Sequence, residues 1–281
     1  MRNFLKEVTS KYFVMIAIFV IGISVEAGAC TVVMGYKSKP KLPLIAENPD
    51  SSGVYNELYS RAAKKINCKL KVVRLPKKRA HVYLQKGVEI DFYPGMKFSK
   101  KRANYSYFIP NGLPGGRVGI TLASFPEITD LKQLRGKTIL VSLDSSYTEV
   151  ISGIGGIKLH KIPKMGIEKA IKMIRLKRGD FYSTEPIAVE YFLKSRGIID
   201  FKIQRNCCGG HTPIYMGFSR KSPLFRESSN PNYDKSKPIS PENFPTIVNP
   251  DTIPHKLGLA LREMEESGET EMLYQSYLIK R

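Results

Sequence analysis

The chain has 281 residues, with 45 Lys and Arg against 25 Asp and Glu, four Cys, 15 Tyr, 13 Phe and no Trp. That length suits two lobes of ordinary size, each with its own core. A net charge of +20 favours anionic company, either an acidic small ligand or an envelope polyanion. The aromatics are spread along the chain instead of interleaving with one basic patch, which weighs against nucleic acid.

In chain order, Arg2, Lys6 and Lys11 precede an apolar run from Tyr12 to Val25 that ends at Ala27-Gly28-Ala29. A charged start, a short apolar stretch and small residues at −3 and −1 make an export signal, and the run is short for a membrane span. The signal peptide is therefore placed at residues 1–29, and the mature protein outside the cytoplasm, in the periplasm. Removing three basic and two acidic residues leaves 42 Lys and Arg against 23 Asp and Glu, a net of +19, so the charge belongs to the mature chain. Ala-Gly-Ala-Cys30 also resembles a lipoprotein box, but Ala stands at −3 where Leu is usual and no tether separates Cys30 from the first strand.

Short apolar strands then alternate with amphipathic helices, the pattern of α/β layers with mostly parallel sheets. The first lobe is expected to contain strands Thr31–Gly35, Leu70–Val73 and Ile90–Tyr93. A helix between the first two carries Tyr55, Leu58, Tyr59, Ala62, Ala63 and Ile66 on one face. Four glycines and a proline between Asn111 and Gly119 mark a crossing between lobes. The second lobe is expected to hold strands Thr138–Ser142, Lys158–Ile162, Asp180–Ser183 and Phe201–Ile203, with helices after Asp144, around Ile167–Ile174 and over Ala188–Lys194. Six prolines between Arg226 and Pro254 predict a long surface excursion without regular structure. Two closing helices follow, one carrying Leu257, Ala260, Leu261 and Met264, the other Leu273, Tyr274, Tyr277 and Leu278.

Four cysteines in an exported chain allow three pairings. Cys30 and Cys68 open strands expected to run side by side, so Cys30–Cys68 is the favoured bridge. The adjacent Cys207 and Cys208 form either a vicinal disulfide or two free thiols. No metal site is expected, since only His211 lies near that pair. The nucleophile elbow, zinc and nucleotide-loop motifs are missing, so an enzyme is not expected, and neither is a cofactor. The four histidines are read singly as surface or hydrogen-bonded residues.

Several motifs resemble the bacterial extracellular solute-binding proteins of the polar amino-acid importer type, family 3. They are Met34-Gly35-Tyr36; Gly87 with Asp91; Phe98-Ser99-Lys100-Lys101-Arg102 followed by Tyr105 to Phe108; Leu131 to Ile139; Arg178-Gly179-Asp180; and Gly268 to Leu278. Each is degenerate alone, and their order and spacing carry the likeness over nearly the whole mature chain. The resemblance implies a two-lobed type II periplasmic binding protein, with lobe I at 30–115 and 214–281, lobe II at 116–213, and a ligand cleft between them. It implies a monomer that closes on a small anionic or zwitterionic solute and presents it to an ABC transporter permease. The alternatives are a membrane sensor as partner, or an envelope polyanion as ligand.

By the same resemblance, Arg102 grips a ligand carboxylate, where a guanidinium suits bidentate pairing. Ser145, Ser146 and Tyr147 lie at the start of a lobe II helix that would hold the same group, and Glu185 would meet an ammonium. Tyr36 would stack on the apolar part of the solute, with a core aromatic as the competing reading. Tyr93 and Gly95 complete the expected pocket. Lys97 stands where a small hydroxyl residue is usual, and with Arg74 and Arg79 nearby it suggests a ligand with an extra negative group.

Overall fold

The structure is a computed structural model that describes residues 30–143, 147–209 and 212–279. The expected signal peptide, Ser145, Ser146 and His211 lie outside the described residues.

The first sheet is laid down by β1 (Cys30–Lys37), α1 (Val54–Lys65), β2 (Cys68–Leu75), α2 (Lys77–Lys86), β3 (Phe92–Met96), the single turn α3 (Lys100–Ala103) and β4 (Ser106–Pro110). The chain then crosses to β5 (Val118–Leu122), β6 (Thr138–Ser142), α4 (Tyr147–Ser152), β7 (Lys158–Ile162), α5 (Ile167–Arg175), β8 (Phe181–Thr184), α6 (Pro186–Ser195) and β9 (Phe201–Gln204). It returns through β10 (Tyr215–Ser219), β11 (Glu227–Ser229), β12 (Thr246–Val248), α7 (Ile253–Glu266) and α8 (Glu269–Ile279).

The strand orders are β2-β1-β3-β10-β4 and β7-β6-β8-β5-β9. These are the same order twice: second, first, third, a crossing strand, fourth. In each sheet the crossing strand runs antiparallel to both neighbours, while the first strand pairs parallel with the second and third. Four of the five strands in each sheet thus point the same way, as a mostly parallel sheet requires, and the one antiparallel crossing strand makes both sheets mixed. The physical reason is that β10 enters the first sheet, and β5 the second, directly from the crossing segments, with no helical crossover to reverse the chain.

The repetition extends to side chains. Asp91 Oδ2 accepts the Val33 N–H at 2.8 Å while the Asp91 N–H donates to the Val33 carbonyl at 2.8 Å. In the second sheet Asp180 Oδ2 accepts the Thr138 N–H at 2.7 Å, and the Asp180 N–H donates to the Thr138 carbonyl at 2.8 Å. Each aspartate fixes the start of a third strand against a first strand, which is why an acid sits at both places.

Two apolar clusters flank each sheet. One joins α1 to α7 and α8 through Leu58, Ala62, Leu257, Leu261 and Leu273, all almost fully buried. The helix α6 serves both lobes, since Ile187 packs in that cluster while Val189 and Leu193 pack with Ile171 and Ile174 of α5. Its buried Glu190 takes the Tyr274 hydroxyl of α8 and the Arg205 guanidinium. Cys30 and Cys68 sit opposite each other in the β1–β2 register and are bridged. Cys207 and Cys208 form a vicinal disulfide beside Ile128 and Leu134.

The proline-rich excursion is not without regular structure. β11 and β12 pair antiparallel within it, and Arg220 pins it to the first lobe. That guanidinium lies 4.4 Å from the Phe244 ring centre, donates to the Ala103 carbonyl at 2.8 Å and pairs with Glu227.

Candidate functional site

In sheets of this kind, ligands bind where the carboxyl ends of parallel strands point and the strand order reverses. Here those ends deliver Lys37 as the last residue of β1, Lys77 at the start of α2, Tyr93 and Gly95 of β3, and, from the other sheet, Glu185 after β8. All line one cleft with a cavity of about 140 Å³. A smaller cavity continues from it past Gly115, Gly116 and Thr212, the crossing segments that join the lobes.

The floor is built from aromatic rings and backbone. The Tyr59 hydroxyl donates to the Pro94 carbonyl at 2.7 Å, and Asn111 Nδ2 donates to the same carbonyl at 3.1 Å and to the Tyr59 oxygen at 3.0 Å. All three groups are buried, so the network fixes the bend that exposes Gly95. The Tyr55 hydroxyl lies so close over Gly95 that a Cβ there would sit 2.2 Å from it. Tyr93 stacks on His81 with ring centres 5.4 Å apart.

Arg102 is held at the rim. Ser99 caps the short α3, its Oγ accepting the Arg102 N–H at 3.3 Å, and Arg102 Nη1 donates to the Lys97 carbonyl at 2.8 Å. His81 lies close by, its Nδ1 3.2 Å from the Tyr105 hydroxyl. Partial burial, then repulsion from Arg102 and Lys77, push the His81 pKa down to about 4, so the ring is neutral at pH 7.

Across the cleft, Glu185 forms an ion pair with Lys41 of the loop between β1 and α1. Burial raises the Glu185 pKa, but Lys41, Lys97 and Arg117 outweigh it and hold the carboxyl below its ordinary value. Arg117 is fixed by Ser183, donating to its Oγ at 3.0 Å and its carbonyl at 2.6 Å, and lies 4.2 Å from the Tyr147 ring centre.

The structure thus brings Tyr93, Gly95, Lys97, Arg102 and Glu185 into one cleft, and places Tyr147 in the second lobe under Arg117. Ser145 and Ser146 fall outside the described residues. Tyr36 is fully buried, with its hydroxyl 2.9 Å from the Leu44 carbonyl and 2.8 Å from that of Ser52. Arg74 lies over the Tyr36 ring and donates to the carbonyls of Ser38, Ala46 and Asp50. Both side chains therefore serve the loop that carries Lys41, and neither lines the cleft. Sequence reasoning did not nominate Lys37, Lys41, Tyr55, Lys77, His81 or Arg117. The signal for the lysines was faint, because each lies at or a few residues beyond a strand end in a chain full of lysines.

No family model matches the sequence, and no curated protein matches it. Among solved structures, the L-cystine solute receptor of Neisseria gonorrhoeae in its unliganded open conformation shares 18% identity over 90% of this chain and 94% of its own, with a TM-score of 0.64. The second substrate-binding domain of Lactococcus lactis GlnP, also open, shares 15% identity over 89% and 96%, with the same TM-score of 0.64. An ancestral arginine-binding protein bound to arginine shares 20% identity over 88% and 97%, with a TM-score of 0.53. The chain has the type II periplasmic binding fold. The doubled strand order, with β5 and β10 each entering its sheet from a crossing segment, leaves two connections between the sheets and the cleft beside them. Among the described residues no group of three or more His, Cys, Asp and Glu could hold a metal ion, and no helix is long and apolar enough to cross a membrane.

Proposed function

We propose that this protein is a non-enzymatic solute-binding protein. Exported across the inner membrane, it captures a small carboxylate-bearing solute of amino-acid size by closing its lobes, and presents the closed form to the membrane component of an ABC importer. The lobes are residues 30–115 with 214–281, and residues 116–213, hinged at the crossings. The observation that carries the reading is the placement of Arg102 on one lobe and Glu185 on the other, around one cleft at the strand ends, with Arg117 near enough to Glu185 to lower its pKa. A ligand touching both sides favours the closed population by its differential affinity for it. Arg102 takes the carboxylate, Tyr93 and Gly95 form the floor, and Ser145, Ser146 and Tyr147 supply the second lobe's contacts.

Small-angle scattering and thermal unfolding of the ligand-stripped mature protein test this, against amino acids and small organic acids. A compound that both raises the unfolding midpoint and shrinks the radius of gyration, with both effects lost in Arg102→Ala, is the expected result. Stabilisation by long polyanions alone, indifferent to Arg102 and abolished by salt, would overturn it in favour of an envelope polyanion binder.

A further inference from the structure

Five cations, Lys37, Lys41, Lys77, Lys97 and Arg102, line the cleft cavity, against one carboxylate among the described residues, Glu185. That carboxylate is already taken by Lys41. The other four cations make no ion pair with any described residue. They also feel one another: Lys77 is depressed below the ordinary lysine value by partial desolvation, then by Arg102 and Lys41, and Lys37 by burial, then by Lys41 and Lys77. A surface that is basic everywhere spreads its charges into solvent. Here Lys37, Lys41 and Arg102 are half-buried around a concave floor of Tyr55, Tyr93 and Gly95, and the exposed Lys77 and Lys97 reach into the same cavity from its rim.

We propose that the solute carries two or more anionic groups and no ammonium group, in the class of small di- and tricarboxylates and phosphorylated carboxylates. The inference rests on the solute-binding reading above and narrows it. A single carboxylate, held by Arg102, leaves Lys37, Lys77 and Lys97 facing one another as the lobes close and water leaves. A second anionic group between them removes that repulsion. An ammonium would have to displace Lys41 from Glu185 and would release one more cation into the same cavity. Both effects act in the same direction, towards anions and away from zwitterions.

The test is calorimetric titration of the full mature protein at about 150 mM salt, where surface charges beyond roughly 8 Å are screened. The decisive probes are glutarate, glutamate and glutamine, which share a carbon skeleton and differ in the second anion and the ammonium. Citrate and 3-phosphoglycerate separate carboxylate from phosphate sources of the same chemistry. The variants are Lys77→Gln and Lys97→Gln, with the double change Lys169→Gln/Lys172→Gln on the exposed face of α5 as a control for net charge.

At least one of glutarate, citrate and 3-phosphoglycerate is expected to bind about 100-fold tighter than glutamine, the ratio that two charge-assisted contacts supply. Glutarate is expected to outrank glutamate, and each cleft substitution to cost about tenfold, with the α5 control unchanged. Glutamate or glutamine binding as tightly as glutarate would overturn the inference, and lobe closure with either would show that the solute-binding reading still stands. Anion binding that weakens equally in the α5 control would overturn it as surface adsorption only. No binding by any of the three multivalent anions would overturn it as well.

Discussion

Lys41 and Glu185 form an ion pair from one lobe to the other, and the loop that carries Lys41 is held in place by Tyr36 and Arg74 from beneath. A residue expected to touch the solute thus acts one step removed, by placing the cation that occupies the acid. Both partners of the pair are about one-third exposed, so it is worth less than about 1 kcal/mol to stability. Its consequence is for selectivity. In Lys41→Met, Glu185 is released to receive an ammonium, and the glutarate-to-glutamate affinity ratio is expected to move about tenfold towards glutamate. The unfolding midpoint should shift by no more than about 4 °C. A ratio equal to that of the wild type in parallel titrations would show that the pair plays no part in ligand choice.

His81 gives the cleft a pH signature. Partial burial, then Arg102 and Lys77, hold its pKa at about 4, against an ordinary value of 6.5. Between those two values the unfolded chain binds a proton that the folded chain refuses, so stability is complete above pH 6.5 and falls as pH drops towards 4. Thermal unfolding followed at half-unit pH steps should show this slope in the wild type. The His81→Asn variant should lose part of it while keeping the acid loss at lower pH that comes from Asp50, Asp200 and Asp234, whose pKa values are also depressed. Parallel curves for the two proteins would mean that the ring protonates in the fold as easily as in water.

The aspartates that start the third strands are not equal. Asp91 is almost fully buried and accepts from both the Val33 N–H and, at 2.7 Å, the Ser222 hydroxyl. Asp180 holds only the Thr138 N–H among the described contacts of its side chain and is half-buried. Removing a buried acceptor leaves its donors unsatisfied, at about 1–3 kcal/mol for each group. Denaturant unfolding is expected to show Asp91→Ala losing about 3 kcal/mol and Asp180→Ala less than half of that. An equal loss at both would mean that the Ser222 bond contributes nothing.

Much of this fold could be read from the chain, for a physical reason that also marks where reading stopped. Thr138–Ser142 and Lys158–Ile162 appear with the expected bounds, because an apolar run bracketed by turn residues has few alternatives. β4, β5 and β10 were not foreseen. β10 is only five residues, contains a glycine, is buried on both faces and finds its partners more than 100 residues earlier in sequence, so neither alternation nor local turn chemistry announces it. β11 and β12 were hidden by the prolines around them, and are held by Arg220 and the rings it covers. In the cleft, Arg102 was legible from its neighbours. Lys37, Lys41 and Lys77 were not, since their meaning arises only when the end of β1 and its loop meet the start of α2 across the cleft.

The two disulfides should differ sharply in their effect on stability. Cys30–Cys68 closes a loop with a sequence separation of 38, and a crosslink of that span restrains the unfolded chain by about 4 kcal/mol on the chain-entropy account. Cys207–Cys208 joins neighbours and closes no loop worth restraining. The double change Cys30→Ser/Cys68→Ser is therefore expected to lower the denaturant midpoint strongly. It should also loosen the amino-terminal end of β1, seen as faster hydrogen exchange at Val32 and Leu70. Cys207→Ala/Cys208→Ala, which puts no hydroxyl into the apolar cluster where both cysteines are buried, should cost clearly less, the loss coming from packing against Ile128 and Leu134 and not from chain entropy. A loss as large as that of the first pair would mean that the vicinal bridge stabilises the second lobe beyond the packing of its side chains.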